Sequence, residues 1–152
     1  MLKYDYKLNN LEETIELAKK IGSHLFPGAV ITLEGDLGAG KTSFTKGIAL
    51  GLGIDDTVNS PTFTIIKEYE GRLKLNHIDA YRLENSEEDL GFDEYFFGSG
   101  VTVVEWASKI YQQIPNEHLH ICFYKMKDTV RIIEAFPKGD AYVKLCEAVF
   151  NE

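Results

Sequence analysis

Residues Gly35-Asp36-Leu37-Gly38-Ala39-Gly40-Lys41-Thr42 fit the spacing G-x-x-x-x-G-K-[ST]. They follow the apolar run Ala29-Val30-Ile31-Thr32-Leu33 and open a segment from Lys41 to Leu52 that reads as a helix. Strand, Gly-rich turn and helix in that order are the context of a P-loop, and no other feature constrains the fold as much. The turn can encircle a phosphate with its backbone N–H groups only if strand and helix fix it, and the helix N-terminus adds positive potential. Gly35, Gly38 and Gly40 permit backbone angles, or a close phosphate approach, that a Cβ would hinder. The bland alternative is a Gly-rich turn that binds nothing, and it is disfavoured because both flanks agree with the motif.

The motif assigns roles. Asp36, Leu37, Gly38, Ala39, Gly40, Lys41, Thr42 and Ser43 form the expected nucleotide-binding stretch. Lys41 should bind the β- and γ-phosphate oxygens, and the Thr42 hydroxyl should ligate the accompanying Mg2+. The chain is therefore expected to bind a nucleoside triphosphate.

A length of 152 residues suits one domain with a substantial core, and 44% hydrophobic with 26% charged residues is ordinary for a soluble protein. No apolar stretch approaches the roughly 20 residues of a membrane span. The N-terminal Met1-Leu2-Lys3-Tyr4-Asp5-Tyr6-Lys7 lacks the apolar core of a secretory signal, and Cys122 and Cys146 lack metal-ligand spacing. A reducing cytoplasm is the expected home. The net charge of −8 repels a polyanion and disfavours independent nucleic-acid binding. The acidic residues of Glu84-Asn85-Ser86-Glu87-Glu88-Asp89 and Asp93-Glu94 read as a solvated face ahead of an interface with a basic protein surface.

Alternation from Leu2 to Leu8 predicts a half-buried peripheral strand. Asn10 with Glu13 reads as the cap of an amphipathic helix from about 11 to 25, with Leu11, Ile15, Ala18 and Ile21 on one face. Ile65 to Tyr69 and Arg72 to Asp79 form an expected antiparallel hairpin around Glu70-Gly71. Ser86 with Asp89 resembles a cap for a short acidic helix toward Phe97, and Val101 to Val104 reads as a buried strand. A helix from Ala107 to about Gln113, a hairpin of His118 to Lys125 with Thr129 to Phe136, and a helix from Asp140 to Phe150 complete the chain. The expected class is α/β: a P-loop-NTPase-like three-layer fold, with a mixed sheet of parallel centre and antiparallel flanks.

A P-loop enzyme also needs an acidic group near the metal, commonly at the C-terminal end of an apolar strand. Glu105 follows Val101-Thr102-Val103-Val104, and Asp79 ends the more polar Leu75-Asn76-His77-Ile78. The burial pattern favours Glu105 as metal ligand and leaves Asp79 to hold a metal-bound water or orient the attacking water. The structural alternative for either is capping a helix or pairing with Arg82. Ser60-Pro61-Thr62-Phe63-Thr64 occupies the place of a γ-phosphate-responsive loop, though such segments also form plain turns. Of the four histidines, His118-x-His120 is weak evidence for a metal site, and His24 and His77 add little. Trp106 reads as a core or interface residue ahead of a nucleic-acid stacking platform.

Taken in order, Gly35 to Thr42, Ser60-Pro61-Thr62-Phe63-Thr64, His77-Ile78-Asp79-Ala80-Tyr81-Arg82-Leu83 and Val104-Glu105-Trp106 resemble the TsaE family, also called YjeE. The resemblance spans essentially the whole chain. It implies an ATP-hydrolysing subunit, Mg2+-dependent and slow alone, that acts with TsaD and TsaB and meets tRNA only through them. TsaD and TsaB carry out the transfer of threonylcarbamoyl to adenosine 37 of tRNAs reading codons that begin with A. By position, Thr42 and Glu105 match the family's Mg2+ ligands, Lys41 its phosphate lysine, Asp79 its motif acid, and Thr62 and Thr64 its switch-like loop. The catalytic set implied is Lys41, Thr62, Thr64, Asp79 and Glu105. After Trp106 the family often has Pro and an acidic residue. This chain has Ala107-Ser108-Lys109, so no family role carries to those positions.

The enzyme alternative is a P-loop small-molecule kinase. Such kinases usually close an Arg-rich lid over the transferring phosphate, and this chain has only Arg72, Arg82 and Arg131. A GTPase would show an Asn-Lys-x-Asp guanine-reading motif, which is missing here. A nucleotide-binding scaffold that never hydrolyses is the non-enzymatic alternative. For adenine contacts, the expectation falls on the loop around Asn10 and the Lys127-Asp128 turn.

Overall fold

The computed structural model describes residues 2–35, 40–55, 58, 66–81 and 92–150. Its strands are β1 (Tyr4–Leu8), β2 (Val30–Gly35), β3 (Ile66–Tyr69), β4 (Leu75–Asp79), β5 (Val101–Glu105), β6 (His118–Lys125) and β7 (Arg131–Lys138). The α-helices are α1 (Leu11–Ser23), α2 (Lys41–Gly51), α3 (Asp93–Phe96) and α4 (Asp140–Phe150), and a 3₁₀ helix covers Ala107–Gln113. The strands form one sheet in the order β1-β7-β6-β2-β5-β4-β3. β6, β2, β5 and β4 run parallel, while β3 pairs antiparallel with β4, β7 with β6, and β1 with β7. The α/β class with parallel centre and antiparallel flanks is the one expected from the sequence.

Strand alternation sorts side chains onto two faces. Ile31, Leu33, Val101, Val103, Leu75, Leu119 and Ile121 join one core with Leu17, Ile21, Phe44, Ile48 and Leu145 of α1, α2 and α4. Val30, Ile78 and Val104 point the other way, into a smaller core with Phe92, Phe96 and Ile110. The sheet is thus a middle layer between the long helices and the short ones. β4 and β5 are buried along their whole length, so the expected contrast between a polar β4 and an apolar β5 vanishes. A strand with neighbours on both sides and a helix layer over it buries its polar residues too.

Helix α1 starts where Asn10 predicts, its Oδ1 accepting a 2.9 Å bond from the Glu13 N–H. The Glu13 carboxylate reaches back one residue further than a standard capping box, accepting from the Asn9 N–H at 3.0 Å. The buried stripe is Thr14, Leu17, Ala18, Ile21 and Gly22. Leu11, expected on that face, is 57% exposed, because the stripe is set by α2 crossing the middle and end of α1. That crossing is tight: a Cβ on Gly47 would stand 2.5 Å from the Ala18 Cβ and 2.6 Å from the Ile15 carbonyl oxygen.

The helix expected from Ala107 to about Gln113 spans those residues, as a 3₁₀ helix kinked at Ile110 (φ −132°). The acidic helix toward Phe97 is described only over Asp93–Phe96; its expected start at Ser86 lies outside the described residues.

Candidate functional site

β2 delivers the P-loop. Gly35, its last residue, has φ 151°, and a Cβ there would lie 2.8 Å from the Phe123 carbonyl oxygen and 2.9 Å from the Phe123 Cβ. Glycine is needed for the chain to leave the sheet against β6. At the other end Gly40 sits at φ 108° as the N-cap of α2, and the Phe44 N–H bonds its carbonyl at 2.9 Å. Asp36, Leu37, Gly38 and Ala39 lie outside the described residues, as do Thr62 and Thr64. Gly40, Lys41, Thr42 and Ser43 are described. Thr42 and Ser43 are half-buried in the first turn of α2.

Lys41 is 5% exposed. Its Nζ donates to the Gly35 carbonyl at 2.5 Å, across the mouth of the loop, and stands 3.5 Å from the centroid of the Trp106 ring. A buried ammonium needs such partners, because desolvation without them is costly. Trp106 itself adopts φ 60°, ψ 43°, a left-handed backbone rare for a bulky residue. Its N–H bonds the Leu33 carbonyl at 3.0 Å, and its ring meets Tyr81 edge-on at 5.0 Å.

The two acidic candidates are brought together by strand register. Asp79 of β4 is the direct partner of Glu105 of β5, and Glu105 pairs on its other side with Leu33 of β2. Leu33 and Val103 belong to the α2-side core, so by alternation Glu105 and Asp79 share the face from which α2 departs. Both are buried, at 4% and 8% exposure. Asp79 Oδ1 accepts the Tyr81 N–H at 3.0 Å, which turns the chain at the end of β4.

His77, set aside on sequence grounds, is part of this group. It is fully buried two residues before Asp79, on the same face of β4, and its Nε2 donates to Glu105 Oε2 at 2.5 Å. Spacing could have flagged it, since i and i+2 of a strand share a face. Trp106 was likewise read as core or interface, although adjacency to Glu105 placed it at the end of the same strand.

Hard oxygen donors suit Mg2+, and the Thr42 hydroxyl with the Glu105 and Asp79 carboxylates supplies that chemistry. Among the described residues no group of three or more His, Cys, Asp and Glu side chains could hold a metal ion. A Mg2+ shared with phosphates needs only one or two protein oxygens, so the donor set fits it.

The opposite face of β2 carries a second polar group. Thr32 Oγ1 pairs with His120 Nδ1 at 2.7 Å, Glu34 Oε1 accepts the Ser108 N–H at 2.6 Å, and His118 Nδ1 bonds the Pro115 carbonyl at 2.8 Å. A cavity of about 240 Å3 opens among these side chains and Tyr111. Burial lowers both histidine pKa values below the ordinary 6.5. The expected adenine loops at Asn10 and Lys127-Asp128 prove to be neighbours, joined by a 2.8 Å bond from Thr129 Oγ1 to the Asn9 carbonyl.

The family model described as "Threonylcarbamoyl adenosine biosynthesis protein TsaE" matches residues 8–133, which contain the P-loop, Asp79, Glu105 and Trp106. The chain belongs to the TsaE family. A Bacillus subtilis relative named tRNA threonylcarbamoyladenosine biosynthesis protein TsaE is 53% identical over 148 residues, covering 97% of this chain and 94% of its own length. A Treponema pallidum protein of the same name is 41% identical over 124 residues, or 80% of this chain and 92% of its own. The crystal structure of Bacillus subtilis YdiB superposes with a TM-score of 0.87 at 47% identity, covering 97% of this chain and 94% of that one. Membership of the TsaE family places the chain in tRNA threonylcarbamoyladenosine biosynthesis. Among the described residues no helix is long and apolar enough to cross a membrane.

Proposed function

We propose that the chain is a Mg2+-dependent ATPase that binds ATP at the P-loop. In this reading it works in the cytoplasm with TsaD and TsaB, supporting threonylcarbamoyl transfer to adenosine 37 of tRNAs that read codons beginning with A. The observation that carries the reading is that the register-paired carboxylates Asp79 and Glu105 end their strands beside β2, while Lys41, at the start of α2, lies over the ring of Trp106, the residue after Glu105. Lys41 leaves the Gly35 carbonyl to take the β- and γ-phosphate oxygens. The Thr42 hydroxyl and Glu105 would hold Mg2+, which would supply charge neutralisation on those phosphates when bound. Asp79 orients the attacking water. Thr62 and Thr64 respond to the γ-phosphate, and Asp36 to Ser43 cradle the phosphate chain. The adenine is received near Asn10 and Lys127-Asp128.

The kinase alternative loses support from the arginines. Arg72 donates to the Gly22 and Leu25 carbonyls at 3.0 and 3.3 Å, and Arg131 to the Asp128 and Val130 carbonyls at 2.9 and 3.0 Å. Arg72 is thereby held at the N-terminal side of β4, away from the P-loop edge of the sheet, Arg131 is tied to its own β6–β7 turn, and Arg82 lies outside the described residues. The test is phosphate release from MgATP by the full chain, alone and with TsaD, TsaB and tRNA, scored together with threonylcarbamoyladenosine formation. The reading expects release to rise when all are present and Lys41→Ala to abolish nucleotide binding. Phosphate transfer to a small acceptor, or no release above the chain alone, would overturn it.

A further inference from the structure

We infer that His77 is the positioning residue of Glu105: its Nε2–H fixes one carboxylate oxygen so that the other is presented to the metal ion accompanying the nucleotide. The inference rests on the reading of Glu105 as a metal ligand and adds the residue that orients it.

The geometry is specific. His77 lies opposite Val103 in the parallel β4–β5 register, one pleat before the Asp79–Glu105 pair, and reaches diagonally along the shared face to Glu105 Oε2 at 2.5 Å. The side chains are 0% and 5% exposed, so water cannot substitute for the bond. A hydrogen bond to a carboxylate is charge-assisted, stronger than a neutral one, and directional. Glu105 has three rotatable bonds, and with Oε2 held by His77 only Oε1 remains to meet a cation. Mg2+ demands near-ideal octahedral placement, so a carboxylate free to swing binds it less well.

The other imidazole nitrogen shows that ordinary core packing is not what this position serves. His77 Nδ1 is buried without a hydrogen-bond partner among the described residues. An aliphatic side chain would fill the same place between β strands without leaving a polar atom unmet, which costs free energy. What the histidine adds is the bond from Nε2. Outer-shell partners of this kind typically change metal affinity by about 10–100-fold when removed.

The test uses the full chain saturated with a non-hydrolysable ATP analogue, with Mn2+ as the probe and free Mn2+ read by EPR. Metal-free nucleotide affinity and thermal midpoint report folding. His77→Leu keeps the volume and loses the donor. His77→Gln keeps an amide N–H at about the reach of Nε2, and His77→Asn carries one at the shorter reach. The inference expects Mn2+ affinity to fall about 10–100-fold in His77→Leu and His77→Asn, and to recover largely in His77→Gln, with metal-free nucleotide affinity unchanged throughout. If His77→Leu binds Mn2+ like the parent while Glu105→Gln does not, positioning is overturned and the ligand reading stands. If Glu105→Gln also keeps its Mn2+, the ligand reading itself fails and positioning falls with it. Equal losses in His77→Leu and His77→Gln, or loss of metal-free nucleotide binding, would also overturn it, because the donor would then not be the cause.

Discussion

The ammonium of Lys41 rests 3.5 Å from the centre of the Trp106 ring while it donates to the Gly35 carbonyl. Trp106 is the chain's single tryptophan, so all tryptophan emission comes from this one ring, which Lys41 and Tyr81 both meet. A cation held against an indole face is worth about 0.5–2 kcal/mol, small enough for a triphosphate to displace. Adding ATP should therefore change the tryptophan emission, and Lys41→Met should abolish the response. Identical titrations for both proteins would show that Lys41 does not leave the ring.

Trp106 also holds a left-handed backbone at φ 60°. Non-glycine residues there carry about 1–2 kcal/mol of strain, which glycine does not. Trp106→Gly and Trp106→Ala both lose the ring, but Trp106→Gly should be the more stable by about 1 kcal/mol in urea unfolding. The usual order, alanine above glycine, would contradict the backbone assignment.

Gly35 meets Phe123 so closely that a Cβ would stand 2.8 Å from its carbonyl oxygen. Overpacking of this kind costs about 1–3 kcal/mol. Gly35→Ala should lose that much stability and weaken nucleotide binding, since the shift falls on the first residue of the loop. Gly47→Ala, at the α1–α2 crossing, should lose comparable stability while leaving the loop residues unaltered. Nucleotide titrations beside unfolding curves distinguish the two effects.

His118 and His120 are held below the ordinary pKa of 6.5, chiefly by burial; the Pro115 carbonyl opposes this for His118 and the His118 charge reinforces it for His120. Below pH 6.5 the unfolded chain binds protons that the folded chain still refuses. Their contribution to stability is then complete above 6.5, falls as pH drops toward the depressed folded values, and levels off beneath them. The urea midpoint should decline from pH 7.5 to 5.5, and a His118→Gln, His120→Gln double variant should decline less. Parallel curves would refute the linkage.

The two cysteines should differ in reactivity. Cys146 is fully buried in α4, its thiol pushed up to about 12 by desolvation. Cys122 is partly exposed beside His120, 3.3 Å from its Nε2, with its pKa raised chiefly by burial. An alkylating reagent at pH 8 should modify Cys122 slowly in the folded protein and Cys146 only on unfolding, as mass spectrometry of timed samples would show.

What one sequence determined here is what local chemistry dictates. The motif from Gly35 to Thr42 and its flanks specified β2 and α2, because glycine positions and apolar runs act within a few residues of themselves. Asn10 and Glu13 located the start of α1, and the alternation of β6 and β7 gave their hairpin. The positions of Asp79 and Glu105 at strand ends were readable for the same reason. Their adjacency was not, because strand order is set by pairing between segments some 25 residues apart. Only the parallel register of β4 with β5 made the carboxylates partners and carried His77 to Glu105. Only the left-handed turn at Trp106 laid its ring on Lys41. The burial of β4, the exposure of Leu11 and the 3₁₀ winding after Trp106 were decided the same way, by neighbours that a local pattern does not contain. The sequence named the candidate groups, and the tertiary structure decided which of them touch, since a contact across a sheet depends on register and layer rather than on spacing along the chain.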